Sequence, residues 1–425
     1  MTDTFGCDRM RAAVLAAWTA SPARFREDAN AEEDFALGGY RDRLIVELAQ
    51  NAADAALRAG VPGVLRLTLR GDVLTAANTG APLDATGVQS LSTLRASGKR
   101  DEAGAAGRFG VGFAAVVSVT DAPSIGSRGS GAVRWSRTDT AALVAEIPAL
   151  AGELADRSGH VPLLRLPFDE PPLVDIPEGF DTLVRLPLRD PATVEAVRRM
   201  LAETSPALPL GLPALELIEI DVDGETRRVA ADGWHVVSDS GEFTPEQVAA
   251  LFADRPTEER ARPFWSLRWA VPVTGTGEPG PLPASVPPVV HAPTPSDEPL
   301  DLPALLIASF PMATDRRHVA KGPLADFLVE RAADAYVRLL RELPRTSKLL
   351  DLVPAFMGKG ELDARVRRAV LDRLPGTPLL PALSAPAPAV QTPSFADAEV
   401  YEPDAAWRVE QPAPEPEAGG WVVSG

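Results

Sequence analysis

The run YRDRLIVELAQNAADAALRA, residues 40–59, reads as one strong helix, stopped by Gly60 and Pro62. Leu44, Leu48, Ala52 and Ala55 form an apolar stripe along it, the face that a core would cover. Beside that stripe Glu47, Asn51 and Asp54 stand at i, i+4 and i+7, so all three point from one face. The amide oxygen of an Asn can ligate Mg2+, a hard cation that prefers oxygen. A Glu carboxylate one turn away can orient or deprotonate a water. On this helix alone, a solvated polar face fits the same three residues, and both readings stand here.

Outward from the helix the chain alternates. VLRLTLR (64–70) sets Leu65, Leu67 and Leu69 on one face of a strand, Gly71-Asp72 turns the chain, and VLTAAN (73–78) returns as its hairpin partner. Residues 79–108 are rich in Gly, Ser, Thr and Ala, with a short helix expected over 84–94. Then comes GRFGVGFAAVVSVTD (107–121), three glycines running into an apolar helix at about 111–119. Each Gly inside a helix costs roughly 1 kcal/mol against Ala. Bare backbone N–H groups that cradle an anion at a helix start would offset that cost. Close helix–sheet packing explains the same glycines equally well. Further strands are expected at 131–136, 142–147, 160–168 and 181–188, then a helix at about 191–204.

The chain has 425 residues, enough for two or three cores, and 45% of them are hydrophobic. The expected organisation is a first domain over 1–205, a second over 206–345, a helical extension over 346–374, and a Pro- and acid-rich disordered tail over 375–425. The second domain would open with the hairpin LELIEIDVDGETRRVA (215–230) and carry a Pro-rich extended insertion or linker at 275–303. It continues with a strand at 264–273, a buried strand at 302–312 and a helix at 323–343.

No run of 18 or more uncharged apolar residues occurs, so no membrane span is expected. The start, MTDTFGCDRM, lacks an apolar signal region, and Cys7 is the one cysteine. Together these point to the cytoplasm. The net charge of −17 counts against nucleic acid as a partner. Four lysines occur, and Lys99 is the sole one in the first 320 residues, which suggests a compact ammonium is needed there.

ELAQNAADA (47–55), AANTGAPLD (76–84), LRASGKR (94–100) and GRFGVGF (107–113) follow one another in that order. Together they resemble the N-terminal ATPase domain of the GHKL superfamily, with gyrase, the heat-shock chaperone, histidine kinases and mismatch-repair proteins as members. RASGKR and GRFGVGF are most similar to the lid and glycine box of the ninety-kilodalton heat-shock chaperone. NTGAPLD with GRFGVGFAAVVSVTDAPSI is closer still to sacsin-type domains. The resemblance covers residues 25–200.

It implies an α+β first domain of the Bergerat fold, a two-layer sandwich with helices on one face of a mixed, mainly antiparallel sheet, followed by a second α/β domain. It implies ATP and Mg2+ as cofactors. Glu47 then matches the residue that activates the hydrolytic water, Asn51 the metal ligand, and Asp54 the acid near sugar and base. Asn78 and Gly80 match the base-binding box, and Lys99 the lid lysine. The glycine box supplies Gly107, Phe109, Gly110, Val111, Gly112 and Phe113. Asn78 stands where most members have Asp. Its amide oxygen still accepts from an adenine amine, and its nitrogen can donate, which leaves another base open.

FPMATDRRHVAKG (310–322) is similar to the sacsin segment that follows the ATPase domain. There Arg317, with Arg316 the spare, would reach the terminal phosphate as an electrostatic stabiliser. A surface arginine pair capping a loop is the plainer reading. The expected function is a slow, Mg-dependent ATP-hydrolysing conformational switch of the chaperone type, with a nucleotide and client or partner proteins as its partners. The alternatives are a nucleotide-sensing module without hydrolysis and a scaffold that binds none. A histidine kinase is excluded, because His160, His235, His291 and His318 lack the context of a phospho-acceptor.

Overall fold

A computed structural model describes residues 3–37, 43–92, 112–172, 175–261, 263–292, 294–313, 315, 317–354 and 357–380. The chain is α+β. Its first sheet is built from β1 (Gly63–Arg70), β2 (Val73–Asn78), β3 (Ser124–Ser127), β4 (Gly131–Arg134), β5 (Phe168–Glu170), β6 (Thr182–Pro187), β7 (Leu215–Val222) and β8 (Glu225–Ala230). They lie in the order β5-β4-β3-β6-β2-β1-β7-β8. All neighbours are antiparallel except β1 and β7, which run parallel.

Leu65, Leu67 and Leu69 of β1 are buried while the residues between them face outward, as the alternation predicts. Gly71 closes the β1–β2 hairpin at φ +55, and Asp223-Gly224 closes β7–β8 with φ of +51 and +102. Positive φ suits a two-residue hairpin, because the turn then twists with the strands.

The helices of this half are α1 (Cys7–Ala20), α2 (Pro22–Leu37), α3 (Leu44–Ala59), α4 (Ala85–Leu91), α5 (Arg137–Ala145), α6 (Ala151–Asp156), α7 (Pro191–Glu203) and α8 (Ala207–Gly211). Leu44, Leu48 and Ala52 of α3 share one core with the β1 leucines and with Val197 and Leu201 of α7. Fully burying a leucine contributes about 1.5–3 kcal/mol, so the α3–β1 contact is a large part of what holds this layer. Trp18 and Phe25 stack edge to face at 5.2 Å and nucleate a satellite core with Val144, Leu150, Val161 and Leu166.

The second sheet contains β9 (Trp234–Glu242), β10 (Phe264–Pro272), β11 (Val289–His291), β12 (Pro295–Pro299) and β13 (Leu305–Ala308), in the order β12-β11-β13-β10-β9. With it go α9 (Pro245–Leu251), α10 (Thr257–Arg260), α11 (Pro323–Glu342) and α12 (Glu361–Arg373). α11 seals the sheet: the Trp269 indole N–H donates to the Ala332 carbonyl at 2.8 Å, and the Tyr336 hydroxyl donates to Leu352 at 2.6 Å. Ala207 and Leu210 of α8 pack with Ala270, Leu305 and Ile307 of the second sheet. Arg268 of β10 donates to the Leu210 carbonyl, and Arg227 of β8 donates to the carbonyls that end α7.

Several local expectations change. The hairpin 215–230, expected to open a second domain, adds two strands to the first sheet, because β7 pairs with β1. Residues 142–147 lie in and after α5 rather than in a strand; Ser136 caps that helix by accepting from the Asp139 N–H. Of 160–168 only Phe168 enters a strand, β5. The apolar stretch at 111–119 forms a 3-10 helix over Gly112–Ser118 rather than an α-helix. Within the Pro-rich stretch 275–303, β11 and β12 are ordered sheet, with Val290 fully buried. The stretch 381–425 lies outside the described residues.

Candidate functional site

α3 presents the three polar residues on its flank as their spacing dictates. Glu47 in the first turn and Asn51 are half-buried, and Asp54 is 1% exposed. Asp54 lies seven residue steps along the helix from Glu47, a rise of about 10 Å. The row therefore spans a length comparable to an extended small ligand, with the most buried acid at the C-terminal end.

The loop after β2 is fastened onto that end. The Ala81 N–H donates to the Ala55 carbonyl at 2.9 Å. Gly80 stands at φ +125, and a Cβ there would lie 2.6 Å from the Ala55 oxygen and 2.6 Å from the Ala56 nitrogen. Only glycine lets the two backbones approach this closely. Asn78, 8% exposed, donates from Nδ2 to the Thr79 carbonyl at 3.0 Å. Its Oδ1 is thereby turned away from that carbonyl as the group it presents. Thr79 is tied to β1 on both sides: its N–H donates to Val64 O at 3.1 Å, and its hydroxyl accepts from Val64 N at 3.0 Å.

Three further residues belong to this corner, and the sequence reading did not single them out. The Asp181 carboxylate accepts from the Gly80 N–H at 2.8 Å. Ser127 accepts from the Leu83 N–H at 2.8 Å and shares a 2.7 Å hydroxyl bond with Thr182, both hydroxyls being buried. Thr182 lies directly opposite Asn78 and Ser127 across the sheet. The one local signal was an acid and a hydroxyl side by side, Asp181-Thr182, at the mouth of a strand.

The other expected site residues divide. Gly112 opens the 3-10 helix, and Phe113 is 5% exposed in the main core with its ring 5.2 Å from Trp135. Lys99, Gly107, Phe109, Gly110 and Val111 lie outside the described residues. Arg317 is in the second-sheet half, where its Nε meets the Asp297 carboxylate of β12 at 2.7 Å. Its loop is shaped by Asp315, which accepts from the Arg317 and His318 N–H groups at 2.9 and 3.1 Å. Those backbone donors and the His318 ring hold the Asp315 carboxyl down at about 2.

In chemical terms the described part of the site offers oxygen ligands: the carboxylates of Glu47, Asp54 and Asp181, the amides of Asn51 and Asn78, and the hydroxyls of Thr79, Ser127 and Thr182. That set suits a hard divalent cation and the polar edges of a sugar or base. Among the described residues no helix is long and apolar enough to cross a membrane. No protein-family model matches the chain, and no curated protein matches it.

Proposed function

We propose that this chain binds a nucleoside triphosphate with Mg2+ and hydrolyses it slowly, as a GHKL-type ATPase of the sacsin and heat-shock-chaperone kind. The observation that carries the reading is the union of α3 with the loop that follows β2. Glu47, Asn51 and Asp54 share one helix flank, and Gly80 and Ala81 fasten the Asn78 loop onto the same helix beside Asp54. The order of the motifs along the chain supports the same reading.

In this reading Asp54 and Asn78 hold the sugar and base, and Asn78 Oδ1 accepts from an exocyclic amine. Asn51 holds the metal through its amide oxygen. Glu47, two turns from Asp54, orients a water and takes its proton. Mg2+, when bound there, would neutralise charge on the phosphates. Lys99 and the glycine box, most of which lies outside the described residues, keep in this reading the phosphate-binding role that the resemblance implies. Arg317 would supply charge from the second domain once released from Asp297. The product switch would act on client or partner proteins.

The test is thermal shift and phosphate release, with ATP and GTP, with and without Mg2+. Ligand at 100 times its Kd adds about 2.7 kcal/mol to stability, a shift well above error. Glu47→Ala is expected to keep ATP binding and lose on the order of 10²–10⁴-fold in turnover. Binding without phosphate release in the wild type would reduce the protein to a nucleotide sensor. No shift with any nucleotide would end the reading.

A further inference from the structure

On the nucleotide reading above, we infer that Asp181 is the positioning residue for the base-and-sugar end of the site. Three strand ends meet at this residue. Its N–H donates to the Asn78 carbonyl at 3.0 Å, and its own carbonyl accepts from the Arg128 N–H at 2.8 Å, next to the end of β3. Its backbone is therefore fixed by the sheet. Its carboxylate reaches out of that fixed frame to the Gly80 N–H at 2.8 Å.

The loop from Thr79 to Leu83 has four N–H groups, since residue 82 is proline. All four are used within the protein: Thr79 to Val64 O, Gly80 to Asp181, Ala81 to Ala55 O and Leu83 to Ser127 Oγ. A loop with no N–H to spare does not cradle an anion, so it belongs at the uncharged end of a nucleotide. Three of the four bonds go to neutral acceptors. The bond to Asp181 is the charge-assisted one, and such bonds are shorter and roughly twice as strong.

That bond also falls at the tightest point. Gly80 is wedged against the backbone of Ala55 and Ala56, so a small lift of Gly80 moves the whole loop off α3. Asn78 precedes it by two residues and is buried between the loop and the strand ends. Holding Gly80 down therefore sets where the Asn78 amide is presented beside Asp54. The division of labour accounts for both residues. Position 78 needs an N–H donor for the Thr79 carbonyl, which an amide has and a carboxylate lacks. Position 181 needs an acceptor for an N–H, which a carboxylate supplies.

The experiment is calorimetric titration of the full chain with adenosine, ADP and ATP–Mg2+, for the wild type, Asp181→Ala and Asp181→Asn. Asp181→Ala is expected to weaken all three ligands by one common factor, about tenfold, which is 1.4 kcal/mol. The bond it removes acts on the part the three ligands share. Asp181→Asn keeps an oxygen that accepts from Gly80 but loses the charge, and is expected to weaken all three by an intermediate common factor, about threefold. Unchanged affinities in Asp181→Ala, or a loss confined to ATP, overturn the assignment. A wild type that binds none of the three refutes the nucleotide reading itself, a result distinct from either. A second measurement needs no variant: hydrogen exchange at the Gly80 amide of the wild type should be slow and slow further with saturating adenosine. An exchange rate that adenosine leaves unmoved also overturns the proposal.

Discussion

Gly80→Ala is the sharpest test of how the loop after β2 sits on α3. Two costs add. At φ +125 the backbone is in a region that side chains avoid, worth about 2 kcal/mol. The new methyl would also lie 2.6 Å from both the Ala55 oxygen and the Ala56 nitrogen, and neither can yield, since both belong to the α3 backbone. Overpacking of that kind costs typically about 1–3 kcal/mol.

The sum is about 4 kcal/mol. Relief by lifting the loop would break the Ala81–Ala55 and Gly80–Asp181 bonds, at roughly 1 kcal/mol or more each, so it saves little. Gly71→Ala is the control. That glycine also has positive φ, +55, but no atom lies within 4 Å of its added carbon. Its cost is about 1–2 kcal/mol. Urea unfolding monitored by circular dichroism should therefore separate the two variants by about 2–3 kcal/mol at similar slopes. Gly80→Ala within 0.5 kcal/mol or so of Gly71→Ala, smaller than the overpacking cost alone, would show that the loop does not rest on α3 as described.

Two other outcomes follow from buried polar groups. Glu32 of α2 is 4% exposed and accepts from the Leu163 and Leu164 N–H groups at 2.6 and 2.9 Å; burial outweighs these bonds and the nearby Arg137 and Arg165, pushing its carboxyl up to about 7. A carboxyl raised in the folded state stabilises below its unfolded value of 4.5 and loses that contribution as pH rises through about 7. Urea midpoints between pH 5 and 8 should fall for the wild type by a component on the order of 3 kcal/mol that Glu32→Gln lacks; parallel profiles would contradict this. Asn78→Asp sets an acceptor against the Thr79 carbonyl where Nδ2 donates at 3.0 Å. A loss of about 1–3 kcal/mol is expected by urea unfolding, and an equally stable variant that binds ATP more tightly would refute the geometry.

Much of the first half was legible because its signals are local. The 3.6-residue stripe of Leu44, Leu48, Ala52 and Ala55 predicts α3, and the two-residue alternation of Leu65, Leu67 and Leu69 predicts β1. The turns at Gly71-Asp72 and Asp223-Gly224 carry their own chemistry. That Glu47, Asn51 and Asp54 share a flank follows from spacing alone. Residues 142–147 misled for the same reason: ALVAEI alternates well enough for a strand, but the cap at Ser136 draws its first part into α5.

Pattern by itself determined that the chain mixes helices with hairpin-joined strands and that one amphipathic helix carries an acid, an amide and a second acid in a row; the α+β class was an implication of the resemblance. Tertiary structure alone decided that β7 lies beside β1, residues about 150 apart in sequence, so that a hairpin read as the start of another domain extends the first sheet. It alone brought Ser127, Asp181 and Thr182 to the loop at Asn78 and Gly80. The reason is physical. Helix stripes and turns are set by neighbours within a few residues, where each hydrogen bond forms next to its own donor. Strand partners and a carboxylate meeting an amide a hundred residues away are chosen by which faces the whole chain must bury at once, and no window of sequence contains that choice.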